Sequence, residues 1–92
     1  MLAIKYTKLS IQDLNNGYTY ILTENPQAAR FVIDRIEQTI SKLAEFPHIG
    51  HNGRVQNTCE FVVLGTPFII IYRYDSETLE IISILHSSRR YP

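Results

Sequence analysis

Apolar and polar positions along this chain follow first a two-residue rhythm, then a helical one, then a two-residue rhythm again. Met1-Leu2-Ala3-Ile4-Lys5-Tyr6 alternates roughly and predicts a short first strand. Ile11, Leu14, Tyr18, Ile21 and Leu22 then fall on one stripe, the spacing of an amphipathic helix. Two starts compete for it: Thr7 as cap, or Ser10 with Asp13 three residues on as a capping box. Gly17 in its middle costs about 1 kcal/mol relative to Ala, so this helix needs tertiary packing to persist. Asn25-Pro26 is a restart signal, a cap residue followed by proline at the first helical position. From there Ala29, Val32, Ile33, Ile36, Ile40, Leu43 and Ala44 hold one face as far as Phe46-Pro47. That predicts a rod of roughly 30 Å at about 1.5 Å per residue, and the short link forces the two helices to run antiparallel.

After Pro47 the pattern becomes β-rich. Gly50-His51-Asn52-Gly53 reads as a turn and Arg54-Val55-Gln56 as a short strand. Gly65-Thr66-Pro67 separates Phe61-Val62-Val63-Leu64 from Phe68–Tyr74, and Asp75-Ser76-Glu77 separates the latter from Leu79–Leu85. Connections this short make the strands consecutive antiparallel neighbours. The expected fold class is α+β: an N-terminal strand and a long antiparallel helical hairpin packed on a mostly antiparallel sheet, as one domain over residues 1–92.

Composition narrows the function classes. Nine basic and nine acidic side chains give a formal net charge of zero, so no global field draws the chain to nucleic acid. The distribution is less even, because Arg54, Arg73, Arg89 and Arg90 fall in the second half. The single Cys59 cannot form an internal disulfide and fits a reducing compartment. No charged-then-apolar leader and no apolar run approaching a membrane span is present. A soluble cytoplasmic protein with no membrane partner is expected.

Candidate chemistry gathers at the end of the last strand, where Ile81-Ile82-Ser83-Ile84-Leu85 runs into His86-Ser87-Ser88-Arg89-Arg90-Tyr91-Pro92. One imidazole, two guanidiniums and a phenol in six residues suit anion binding, or proton transfer beside a phosphate. Alternation puts Ile82, Ile84 and His86 on one face. On the preceding strand Phe68, Ile70, Tyr72 and Tyr74 share one face, and Ile69, Ile71 and Arg73 the other. Arg73 has two readings: a guanidinium snorkelling toward Asp75 or Glu77, or a phosphate contact. His48, His51, Cys59 and His86 show no paired-ligand spacing of the zinc type, so no metal is expected. Neither a phosphate loop nor a nucleophile elbow is present, and no cofactor is expected. Glu24, Asp34, Glu37 and Glu45 read as solvated helix surface.

The order of these parts resembles the RelE/ParE superfamily of bacterial type II toxins, nearest the ParE-like or plasmid-stabilisation branch. The likeness covers nearly the whole chain. It rests on Asp13-Leu14 and Tyr20-Ile21, Asn25-Pro26-Gln27-Ala28-Ala29, Leu43-Ala44-Glu45-Phe46-Pro47-His48-Ile49-Gly50, Gly53-Arg54-Val55, Tyr72-Arg73-Tyr74 and the ending from Ile84 to Pro92. His51 stands where the family usually has arginine, as does Cys59 before Glu60, which thins the basic surface.

The resemblance implies a growth-inhibiting toxin neutralised by a cognate antitoxin protein. Two target classes divide the family: ParE-like members trap DNA gyrase on cleaved DNA, and RelE-like members cut messenger RNA on the ribosome. Neutral charge and sparse lysine after Lys42 favour gyrase, since ribosomal RNA carries dense phosphate charge. The alternative is an endoribonuclease with His86, Arg89 and Tyr91 as catalytic residues. Arg54, Arg73, Arg89 and Arg90 are the phosphate- or target-binding candidates in either case. A third reading keeps the chain as an antitoxin-binding module with no toxicity.

Overall fold

A computed structural model describes residues 1–87. Strand β1 (Ala3–Tyr6) leads into helices α1 (Lys8–Glu24) and α2 (Pro26–Glu45), then a 3-10 turn at Pro47–Ile49. Strands β2 (His51–Asn52), β3 (Cys59–Val62), β4 (Phe68–Tyr74) and β5 (Thr78–His86) follow. They form one sheet in the order β1-β5-β4-β3-β2, antiparallel except for β1 against β5. This is the expected α+β architecture. Among the described residues no helix is long and apolar enough to cross a membrane.

The hairpin forms where the caps predict. Thr7 caps α1, its hydroxyl accepting from Ser10 N at 3.1 Å. Ser10 therefore sits inside the first turn, fully buried, with its own hydroxyl donating to Thr7 O. Asn25 caps α2 through its side chain, with Pro26 at the first helical position. The face of α2 is buried at Ala29, Val32, Ile36, Ile40, Leu43 and Ala44, and Ile33 is half-buried. Val32, Ile36, Ile40, Leu43 and Ala44 of this face pack with Val63, Phe68, Ile70, Tyr72, Leu79, Ile81 and Ile84.

Helix α1 departs from the expected stripe. Leu14 and Ile21 pack against the core, but Ile11, Tyr18 and Leu22 are exposed. The stripe is rotated because Gly17 faces the sheet, where a Cβ would lie 3.1 Å from the Phe68 ring. The absence of that atom lets the helix backbone approach Phe68.

The segment after Pro47 is a second correction. The strand lies at His51–Asn52, and Arg54–Gln56 forms the bend that follows it. Gly53 N donates to Thr58 O, and Thr58 donates through both N and Oγ1 to Val55 O, closing a tight loop. Asn57 supplies its one left-handed residue, at φ 66°. The third strand begins earlier than expected, at Cys59.

Strand β5 carries an irregularity that its sequence conceals. Ile71 pairs with Ser83 but Tyr72 pairs with Ile81, leaving Ile82 as an extra residue. A bulge of this kind changes which residues face a given side. Leu79 and Ile81 lie in the core before it, and Ile84 after it, so Ile82 does not share the face of Ile84 and His86.

Candidate functional site

His86 ends β5 opposite Phe68 of β4 and faces α1. Its ring meets Phe68 edge-on at 5.4 Å between centroids, and Tyr20 of α1 edge-on at 6.3 Å. The imidazole is half-buried among aromatic carbon. Asp13, Asn16, Gly17, Tyr20, Phe68, Ile84 and His86 line a cleft of about 160 Å³ between α1 and the strand end.

Asp13 is a site residue whose spacing from Ser10 predicts part of a helix cap instead. Its Oδ2 accepts from Ser83 Oγ at 2.6 Å and from Ile84 N at 3.1 Å. The carboxylate serves the edge of β5 instead of the start of its own helix. Strand β1 pairs only with Thr78–Ile81, so among the described residues no strand lies beside the next residues of β5 on that side. Thr7 Oγ1 covers Ile82 O and Asp13 covers Ile84 N. The surviving signal was an acidic residue on the helix face beside the core positions Leu14 and Gly17, which solvation does not explain.

The arginines lie elsewhere. Arg73 alternates with the core residues Phe68, Ile70 and Tyr72 and so points from the opposite sheet face. Its Nε donates to Glu80 Oε1 at 2.5 Å. The partner is therefore Glu80 across the ladder, not Asp75 or Glu77. From Phe68, beside His86, to Arg73 is five steps along β4, roughly 17 Å at ~3.3 Å each.

Arg54 is held at the same far end as Arg73. Its backbone N donates to Glu60 Oε2 at 3.0 Å, and its guanidinium lies 3.5 Å from both carboxylate oxygens. Glu60 is buried and alternates with Cys59 and Phe61, which pack toward the core. Burial raises the Glu60 pKa, but hydrogen bonds and charge from Arg54, with His51 adding charge, hold the carboxyl below its usual range. The loop carrying Arg54 borders an open polar basin that also includes Arg73 and Tyr74.

Within the described residues the structure thus brings Arg54 and Arg73 to one end of the sheet and sets His86 at the other. Among the described residues these three therefore do not form one patch. Arg89, Arg90 and Tyr91 lie outside the described residues.

Comparison with known proteins places this arrangement in context. A family model described as "ParE toxin of type II toxin-antitoxin system, parDE" matches residues 4–91. A curated Sinorhizobium fredii protein named "Putative toxin Y4kP" is 35% identical over 89 residues, spanning 97% of this chain and 92% of its own. Among solved structures, the chromosomal ParDE TA system from P. aeruginosa superposes with a TM-score of 0.83 at 19% identity, over 94% of this chain and 96% of that one. The YoeB/ParE toxin from Agrobacterium tumefaciens gives 0.62 at 15% identity, over 98% and 100%. The E. coli DinJ-YafQ toxin-antitoxin complex gives 0.61 at 11% identity, over 95% and 93%. At these identities the solved structures establish a shared fold.

Proposed function

The chain belongs to the family of ParE toxins of type II toxin-antitoxin systems, and from that premise we propose that it halts growth by trapping DNA gyrase rather than by cutting messenger RNA. The observation that carries this reading is the separation of His86 from Arg54 and Arg73, on opposite faces and at opposite ends of the sheet. Cutting a phosphodiester needs a proton-moving group and phosphate-gripping cations around the same reacting atoms. Here the imidazole sits among Tyr20 and Phe68, and both guanidiniums already face carboxylates. A net charge of zero supports the same reading, since a ribosomal site favours a strongly basic face.

In this reading Arg54, Arg73, Arg89 and Arg90 are target-binding groups, and His86, Arg89 and Tyr91 carry no catalysis. A cognate antitoxin is the second partner, supported by relatives solved as toxin-antitoxin systems.

The test uses the purified chain with gyrase and supercoiled DNA, and in parallel with a translating extract. Cleaved DNA held by gyrase is expected to accumulate while transcripts stay intact, with His86→Ala as potent as the native chain. Ribosome-dependent transcript cuts that vanish in His86→Ala would overturn the proposal in favour of a nuclease. Normal growth when the chain is expressed without its partner would overturn it in favour of a pure antitoxin-binding module.

A further inference from the structure

The cleft between α1 and the end of β5 is lined by neither Arg54 nor Arg73, yet it is a built feature. We propose that it receives an arginine side chain presented by a partner polypeptide. This inference stands independently of which target the toxin has.

Charge is the first ground. Asp13 is the carboxylate of the cleft, and no lysine or arginine lines it among the described residues. Ser83 Oγ and Ile84 N fix Oδ2, so the carboxylate is held in one orientation without help from a cation. Asp13 Oδ1 takes no hydrogen bond from any described residue. An anionic ligand would meet this charge unfavourably, whereas a cation would complete it.

The walls select among cations. Tyr20, Phe68 and His86 line the same cleft as the carboxylate with rings, and Gly17 contributes no side chain to it. A guanidinium is planar, weakly hydrated and stacks on aromatic faces, while an ammonium gives up a tight hydration shell to enter such a space. About 160 Å³ accommodates a guanidinium with part of its stem.

The approach route points to a polypeptide. Beyond Ile81 no strand lies beside β5 on the cleft side among the described residues, and side chains, Thr7 on Ile82 O and Asp13 on Ile84 N, cover that edge in its place. A polypeptide crossing this edge can present one of its side chains to the cleft without displacing a strand.

The test is an NMR titration of the full chain with N-acetyl-arginine-amide, against the neutral isostere N-acetyl-citrulline-amide. Saturable shifts confined to Gly17, Tyr20, Phe68 and His86 are expected, with a dissociation constant in the millimolar range for so small a probe. Citrulline should bind at least about tenfold more weakly. Asp13→Asn, which keeps an acceptor for Ser83 and Ile84, should weaken the arginine probe by a similar factor. Asn16→Arg, at an exposed rim position, places a competing guanidinium at the mouth and should abolish binding. It carries the test if Asp13→Asn does not fold.

Equal response to citrulline, shifts outside the cleft, or binding unchanged in the folded variants would overturn the proposal. So would an Arg89→Gln/Arg90→Gln chain that binds the probe about tenfold more tightly, because the cleft would then serve the chain's own terminus.

Discussion

Replacing Tyr72 by Phe removes one oxygen from a position with no solvent exposure. That oxygen donates to Pro47 O at 2.7 Å and accepts from Gly50 N at 3.0 Å. It ties the turn after α2 to the middle of the sheet, and so orients β2 and the Arg54 loop. The ring stays in Tyr72→Phe, so the loss is polar: a donor and an acceptor left without partners. Each such group costs about 1–3 kcal/mol, and sharing one site brings the expected loss to about 2 kcal/mol. For a chain of this size that is a fall in Tm of roughly 8–16 °C. Alkaline pH provides a second reading of the same atom. Burial pushes the Tyr72 phenol up to about 12, with Cys59 and Tyr74 adding and the Gly50 N–H opposing. A folded pKa above the ordinary value near 10.0 means the neutral phenol stabilises the fold. That contribution is complete below pH 10 and disappears as pH rises toward 12. From 10.0 to about 12 that is a contribution of roughly 3 kcal/mol. Urea unfolding of both chains at pH 7 and through the alkaline range measures both effects. The native and Tyr72→Phe stabilities should differ at neutral pH and converge above pH 10. Equal stability at pH 7, or parallel curves between pH 10 and 12, would refute the reasoning.

Three further outcomes are expected. Glu60→Gln should lower stability at pH 7 by about 1–3 kcal/mol, because Arg54 N–H and guanidinium lose their charged acceptor. The Glu60 carboxyl lies below its ordinary value of 4.5 when folded, so its contribution is present above that pH and lost as pH falls through the folded value. Acid titration of the variant should therefore show a flatter decline below pH 4.5 than the native chain. Gly17→Ala should change stability by less than about 1 kcal/mol, since the helix-propensity gain offsets the 3.1 Å approach to Phe68. Gly17→Val adds branched bulk at the same contact and should lose about 1–3 kcal/mol in the urea midpoint. Arg73→Ala should leave stability within about 1 kcal/mol, because its pair with Glu80 is largely exposed, yet reduce growth inhibition in a plate assay. Unchanged inhibition by a well-folded Arg73→Ala would remove this arginine from the target-binding surface.

The fold was legible where one physical signal dominated. Asn25-Pro26 permits little except a helix start, and the α2 face is periodic enough that only Ile33 falls short of full burial. Phe68–Tyr74 is a strand from end to end as expected. Legibility failed where tertiary contact reassigned a residue. Ile11, Tyr18 and Leu22 carry helical spacing as well as Leu14 does, and only the close approach of Gly17 to Phe68 decides which stripe faces inward. Asp13 suits a capping box by spacing, but the edge of β5 beyond β1 offers it an unmet N–H at Ile84 and the hydroxyl of Ser83. Arg54–Gln56 has strand-like composition, yet buried Glu60 draws Arg54 N away from any ladder.

The candidate site depended on a register that composition does not reveal. The run Ile81-Ile82-Ser83-Ile84-Leu85 is apolar enough to be read in either phase. With strict alternation from the core residues Leu79 and Ile81, His86 would emerge on the outer face with Arg73 and Glu60. The extra residue at Ile82 reverses that phase and turns the imidazole toward Tyr20 and Asp13. One residue in the ladder thus sets His86 on the sheet face opposite Arg73. The same residue aligns Ile84 N with the Asp13 carboxylate and so completes the cleft. The inward turn of His86 and the seating of Ile84 N on the Asp13 carboxylate are two consequences of one bulge. Deleting Ile82 should therefore join Ile81 to Ser83 in a regular ladder and leave His86 on the face of Tyr20 and Asp13, with the cleft kept.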